Sequence, residues 1–236
     1  MQSRSKHIVL VLFGGTGQRF GSPYPKQFAD LGKEPMFVVT LNCFSASDAV
    51  DEIYVVVEPS TVETCRDLIL SRQIKKIKAI IKGGSTRQES ARFGLEFLAQ
   101  TNTRPDDLVL IADGDRPNVS PKLILDNFLT AYEVGSAVTA IPVTDSVLYE
   151  EQGKACKYFD RSKVYLAQTP QTFRFKTILK AHRKFAKVPV TDDASLLTMM
   201  HHKVPVVLGS KENLKITTPE DVETYLKLTT KKEDPS

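Results

Sequence analysis

Residues 7–27 read HIVLVLFGGTGQRFGSPYPKQ, and the division of this stretch decides the fold. Its first part, the strand candidate His7–Phe13, carries from Ile8 a continuous apolar run of aliphatic side chains closed by an aromatic ring. A strand without polar alternation is buried on both faces, as in a parallel sheet covered by helices. Gly14-Gly15-Thr16-Gly17 follows with no spacer. In an open α/β sheet, ligands bind beyond the carboxyl ends of the strands, so this turn is placed to meet one. Glycines let backbone N–H groups approach an anion without a Cβ in the way.

The rest of the stretch narrows the ligand. Arg19 and Lys26 place two cations in the same loop, and Pro23 and Pro25 stiffen the approach to Lys26. The loop lacks the Gly-Lys-Ser/Thr ending of a P-loop. It also fails the dinucleotide pattern, because the third glycine would fall at Phe20. Two fixed cations beside a glycine turn suit phosphoryl or nucleotidyl transfer, in which charge develops on phosphate oxygens.

Outward from this stretch, β-rich runs alternate with helical patterns. Further strands are expected at Glu52–Val57, Ile77–Ile81, Asp107–Ala112, Ala137–Pro142, Val164–Ala167 and Val204–Leu208. Helices are expected over Met36–Phe44, from Thr86 to Gln100, and from Ser120-Pro121 to about Glu133. This order predicts an α/β fold with a Rossmann-like, doubly wound, mostly parallel sheet. Val143–Tyr165 breaks the alternation with two β-like pieces, Ser146–Tyr149 and Cys156–Asp160, around the polar turn Glu150–Lys154. A projecting β-hairpin is marginal alone in water and needs something to pack against, which predicts a dimerisation arm, the alternative being a hairpin folded back on its own sheet. Residues 1–228 read as one nucleotidyltransferase domain with the arm at 143–165, and 229–236 as a flexible polar tail.

Composition, at 41% hydrophobic and 25% charged, is that of an ordinary soluble globular chain. No apolar run is long enough to span a bilayer, and MQSRSKH leads into a strand rather than a signal-peptide core. Cys43, Cys65 and Cys156 have neither metal nor redox spacing and read as reduced thiols of a cytoplasmic protein. The net charge of +4 is not gathered into a basic stripe with interleaved aromatics, which argues against nucleic acid as a partner. His7, His182, His201 and His202 stand outside the motifs at strand ends and read as surface or core residues.

Two later segments join the first loop. Asp113-Gly114-Asp115-Arg116-Pro117 follows a buried strand, where carboxylates beside a triphosphate are natural Mg²⁺ ligands. Gly83-Gly84-Ser85-Thr86-Arg87-Gln88-Glu89-Ser90 opens a helix and offers N–H groups and hydroxyls to a base edge, or is simply a capped glycine turn.

Taken together, FGGTGQRFGSPYPKQF, GGSTRQES, ADGDRP, PVTDS, DR followed by AQTPQTF, TDDAS and NLKITTPEDV resemble the motifs of the IspD-like cytidylyltransferases in order and spacing, from about residue 7 to 227. The resemblance implies transfer of a cytidylyl group from CTP to a sugar-alcohol phosphate with release of pyrophosphate, with Mg²⁺ or another divalent cation. 2-C-methyl-D-erythritol 4-phosphate is the nearer acceptor, on the non-mevalonate route to isoprenoids, and ribitol 5-phosphate the alternative. It implies that Arg19 and Lys26 are the catalytic cations and that Gly14, Gly15 and Thr16 hold CTP near its ribose and phosphates. Gly84, Ser85 and Ser90 lie near the cytosine, and Asp113 binds the Mg²⁺–triphosphate. Arg116, Thr169 and Lys215 face the acceptor or CTP phosphates. Ser146 and Arg161, carried on an arm that crosses to a second subunit, bind the acceptor of a homodimer's neighbouring site.

Three positions depart from the pattern. Phe13 stands where alanine is common, Ser146 where threonine is usual, and Ala112-Asp113-Gly114-Asp115 replaces His-Asp-Ala-X. Readings from other classes are a dinucleotide-dependent oxidoreductase, disfavoured by Phe20, and a non-catalytic nucleotide-binding regulator, suggested by the altered Asp113–Pro117 segment.

Overall fold

The computed structural model describes residues 4–14, 20 and 25–233, with side chains up to residue 230. Seven strands form one sheet in the order β3-β2-β1-β4-β8-β5-β9. These are β1 (His7–Phe13), β2 (Glu52–Val57), β3 (Ile77–Lys82), β4 (Leu108–Asp113), β5 (Ser136–Pro142), β8 (Tyr165–Arg174) and β9 (Val206–Leu208). A separate hairpin pairs β6 (Leu148–Glu151) with β7 (Lys154–Tyr158). Helices α1 (Met36–Ser45), α2 (Val62–Ser71), α3 (Arg87–Leu98), α4 (Pro121–Val134), α5 (Phe175–Lys184), α6 (Ala194–Thr198) and α7 (Pro219–Glu233) complete the described chain.

The apolar run of β1 explains the layering. Val9, Val11 and Phe13 point to one face and join Phe37, Leu41 and Phe44 of α1 and Phe128 of α4 in one core cluster. Ile8, Leu10 and Leu12 point to the other and join Leu95 and Leu98 of α3 with Ile178 of α5. The period of two along a strand sends alternate side chains to opposite faces. Each such side chain, fully buried, is worth about 1.5–3 kcal/mol. A third cluster, around Phe20, Leu31, Met36, Ile216 and Tyr225, seats α7 beside the first turn of α1.

The expected parallel sheet is present in β3-β2-β1-β4 and in the β5–β9 pair. β8 runs antiparallel to both β4 and β5, and it is ten residues long rather than the short Val164–Ala167. Pro170 lies within it and has no N–H to give the ladder. The pairing with β5 accordingly jumps from Gln171 to Gln168, leaving Thr169 and Pro170 out of register.

Other boundaries also move. The hairpin is tighter than its sequence suggested, because Gln152 and Gly153 both take positive φ (53° and 76°) and close a two-residue turn. α7 continues past residue 228 to Glu233, where the Thr229 and Thr230 hydroxyls bond back to Tyr225 and Leu226 carbonyls. Helix ends are capped as read: Thr86 and Ser120 hydroxyls accept from the N–H groups of Glu89 and Leu123. Such a cap contributes about 1 kcal/mol. No helix among the described residues is long and apolar enough to cross a membrane.

Candidate active site

The site is built where β1 and β4 end side by side. Beyond β4 the chain is pinned from three directions. Gly114 N–H donates to Leu12 O at 2.8 Å, Thr40 Oγ1 donates to Gly114 O at 2.9 Å, and Ile216 N–H donates to Asp115 O at 2.8 Å. A Cβ at Gly114 would stand 2.2 Å from the Phe13 ring, so the bulky Phe13 fits because residue 114 has no side chain. The two departures at positions 13 and 114 are thus one compensated change.

Asp113 closes β4 and gathers the cations. Arg87 Nε donates to its Oδ1 at 2.7 Å and Lys215 Nζ to its Oδ2 at 2.9 Å, while Arg116 Nε lies 4.0 Å from Oδ2. Its backbone N–H donates to Thr169 Oγ1 at 3.0 Å, which the break in register of β8 makes possible. Burial pushes the Asp113 carboxyl up, but the charges of Arg87 and Lys215 outweigh it and hold the group well below the usual carboxylate range.

Arg87 is anchored from behind. Its Nη1 lies 2.9 Å from Asp193 Oδ2, and Asp193 Oδ1 is 3.0 Å from His182 Nε2, with both partners buried. Burial lowers the Arg87 pKa, and the charges of Asp193 and Asp113 more than reverse this, so it stays charged. Removing one partner from a buried pair of this kind costs about 3–5 kcal/mol. Asn213 ties a further corner: its Nδ2 donates to Thr169 O at 2.8 Å, and its carbonyl accepts from Arg116 Nη1 at 2.7 Å. Lys26, on a short 3-10 turn, donates to Asp115 Oδ2 at 2.6 Å and to Ile216 O at 3.1 Å.

A groove of about 340 Å³ adjoins this cluster, lined by Gly14, Glu58, Pro59, Gly83, Gly84, Ser85 and Ser90. The Ser90 hydroxyl, which accepts from Gly84 N–H at 3.1 Å, fills the space a Cβ would need at Gly14 or Gly83. Ser85 N–H and Oγ both donate to Glu89 Oε2 at 2.8 Å, shaping the rim. A groove of about 670 Å³ lined by Thr103, Pro105, Phe175 and Leu179 lies at the opposite end of β4, and its lining has no carboxylate.

Of the residues singled out in the sequence, Lys26, Asp113, Arg116, Thr169 and Lys215 meet in one cluster, and Gly14, Gly84, Ser85 and Ser90 line the adjacent groove. Gly15, Thr16 and Arg19 lie outside the described residues. Ser146 and Arg161 are exposed at the arm, where Arg161 Nη1 donates to Thr144 O at 3.1 Å. Among the described residues, no hydrogen bond or ion pair joins either of them to the cluster. Sequence reasoning missed Arg87, Asp193 and His182. The available signal was a charged residue in the first turn of a helix directly after a glycine turn, matched by paired acids in TDDAS.

No group of three or more His, Cys, Asp or Glu side chains suited to a metal occurs among the described residues. Asp113, the carboxylate that ends β4 beside the cluster, is of the donor type that Mg²⁺ takes together with phosphate oxygens and water.

The sequence model of the family described as IspD: 2-C-methyl-D-erythritol 4-phosphate cytidylyltransferase matches residues 7–227. A 2-C-methyl-D-erythritol 4-phosphate cytidylyltransferase of Halalkalibacterium halodurans is 37% identical over 219 residues, 92% of this chain and 94% of that one. One of Alkaliphilus oremlandii is 34% identical over 226 residues, 94% of each. A crystal structure of 4-diphosphocytidyl-2C-methyl-D-erythritol synthase from Anaerococcus prevotii superposes with a TM-score of 0.83 at 28% identity, covering 96% of both chains.

Proposed function

The chain belongs to the 2-C-methyl-D-erythritol 4-phosphate cytidylyltransferase family, and on that basis we propose how its residues perform the transfer. It moves a cytidylyl group from CTP to 2-C-methyl-D-erythritol 4-phosphate and releases pyrophosphate, a step of isoprenoid precursor biosynthesis. Its relatives' names favour this acceptor over ribitol 5-phosphate. Family membership removes the oxidoreductase reading.

The observation that carries the residue assignment is the convergence of Lys26, Arg87, Arg116 and Lys215 on Asp113 and Asp115 at the ends of β1 and β4. Cytosine lies in the groove of Gly84, Ser85 and Ser90, where backbone groups and hydroxyls read its polar edge. Gly14, Gly15 and Thr16 hold the nucleotide close to the backbone. The triphosphate extends to Lys26 and Arg19. Asp113 would hold Mg²⁺ or another divalent cation, and its present partner Lys215 is partly exposed, with room to turn to a phosphate. When bound, that cation neutralises phosphate charge.

The acceptor phosphate is largely dianionic near neutral pH and attacks the α-phosphorus without a strong base. The obstacle is repulsion between two anions. At ~4 Å, two unit charges repel by about 4 kcal/mol at an effective dielectric near 20. Lys26, Arg19, Lys215 and Arg116 offset this and hold the reactants in line. Thr169 supports the site from below through Asp113, and Ser146 and Arg161 reach the acceptor of a second subunit through the arm. The arm supports this homodimer reading because every residue of β6 and β7 is exposed, with Leu148, Tyr149, Tyr158 and Phe159 bare to solvent.

Purified protein incubated with CTP, Mg²⁺ and either acceptor tests the proposal by pyrophosphate release. Release with 2-C-methyl-D-erythritol 4-phosphate and not with ribitol 5-phosphate is expected. Release with neither acceptor would sink it and return the regulator reading.

A further inference from the structure

We propose that Asp115 is a positioning residue for Lys26, holding its ammonium at the angle from which it meets the triphosphate. This rests on the assignment of Lys26 to that contact.

An ammonium has three N–H donors and a long, freely rotating stem. Two of the three are occupied by the protein, one by Asp115 Oδ2 at 2.6 Å and one by Ile216 O at 3.1 Å. Tetrahedral geometry turns the third away from both acceptors. Lys26 and Asp115 line the same small cleft as Phe13, Gly14 and Gly114, beside the glycine turn at the end of β1.

Both acceptors are themselves fixed. Ile216 N–H donates to Asp115 O at 2.8 Å while Ile216 O accepts from Lys26, so the three residues close a ring. The main chain one residue earlier is clamped by Leu12 and Thr40. The main chain that carries the carboxylate is therefore held in place, which limits where Oδ2 can meet Lys26. A lysine without this bracket keeps the freedom of its stem, and misplacement by about 1 Å can cost 10²-fold in rate.

The carboxylate also has an electrostatic cost. Being anionic, it opposes the arriving phosphates, so the same residue favours turnover and disfavours CTP binding. Lys215, 3.8 Å from Asp115 Oδ1, shields part of that charge. The two effects separate in kcat and KM, which a purely structural role would not do.

The test compares wild type with D115A, D115N, K26A and D115A/K26A, in steady-state assays with CTP, 2-C-methyl-D-erythritol 4-phosphate and a Mg²⁺ titration, with circular dichroism to check folding. D115A is expected to lower kcat by about 10- to 100-fold without raising the KM for CTP. D115N, which keeps a hydrogen-bond acceptor, is expected to recover most of the turnover. On the K26A background, D115A is expected to change kcat by less than about threefold. Wild-type turnover in D115A overturns the proposal, as does an undiminished loss on the K26A background. A raised Mg²⁺ requirement in D115A overturns it too and assigns Asp115 to the cation. Normal turnover in K26A refutes instead the assignment of Lys26 on which the proposal stands.

Discussion

Replacing Gly114 with alanine should destabilise the fold, and replacing Phe13 as well should undo that effect. The added Cβ would lie 2.2, 2.5 and 2.6 Å from three carbons of the Phe13 ring, well inside contact distance. Neither side can yield. Gly114 is held through its N–H and its carbonyl, and the Phe13 ring is buried with its centroid 4.6 Å from that of Phe37. The φ of Gly114 lies outside the left-handed region, so alanine brings no backbone strain and the steric effect stands alone. Overpacking of this kind costs about 1–3 kcal/mol, and the rigid surroundings put G114A near the top of that range. F13A empties a core position and costs about 3–5 kcal/mol. In the double variant the clash has gone and the new methyl group fills part of the void, so its cost should match or fall below that of F13A alone. The coupling is then about 2–3 kcal/mol, against a few tenths for independent sites. The chain has no tryptophan, so urea unfolding followed by far-UV circular dichroism is the suitable assay. Additive costs would refute the reasoning, since they would mean that residues 13 and 114 do not share the space.

Other outcomes follow from the same contacts. Asp113 and Asp193 are both held below the ordinary carboxylate range, burial being outweighed in each by Arg87 together with Lys215 or His182. A depressed folded pKa contributes stability that is full above the unfolded value of 3.8 and is lost as pH falls below it. The unfolding free energy should therefore drop steeply below about pH 4, and D193N should flatten that slope while lowering stability at neutral pH by about 3 kcal/mol. Burial pushes the Cys43 and Cys65 thiols up to about 11, whereas Cys156 is exposed on the arm. A thiol reagent at pH 7 should label Cys156 first, and equal rates for all three would contradict the burial. If the arm forms the homodimer, charged replacements at Leu148 and Tyr158 should shift sedimentation towards a monomer and cut turnover by about tenfold or more. A dimer that persists with both changes would discard the arm as its interface.

The parts legible in the sequence were those set by local burial. β1 and β2 read correctly to the residue because continuous apolar runs admit one interpretation between helices. α2 escaped because only Val62, Cys65 and Ile69 of its residues are buried, while Leu70 is exposed and blurs the stripe. α5 carried a plain signal in Phe175, Ile178, Leu179 and His182 that went unread beside the TPQTF motif. β8 was cut short by Pro170, which ordinarily ends a strand. In the site, Asp113 and Lys26 were visible because each follows a strand end or a glycine turn. The pairing of Asp113 with Arg87 and Lys215 was not. Arg87 and Lys215 are 26 and 102 residues away in sequence, and only the sheet order brings their elements together. His182 was read only as a surface or core residue, and its buried place behind Asp193 depends on how α5 packs against α6.

The ion pairs around Asp113 also govern how the protein responds to ionic strength. Among the described residues, Lys26, Arg87, Arg116 and Lys215 face Asp113, Asp115 and Asp193, four cations against three carboxylates. To an anion in bulk solvent, these described groups taken together are almost neutral beyond a Debye length of about 8 Å. Its association is guided little from a distance, and added salt has little long-range attraction to weaken. On the proposed assignment, a phosphate takes over the Lys215 contact that Asp113 holds beforehand, while Lys26 keeps its bond to Asp115. The affinity then varies with salt far less than four bare cations would imply.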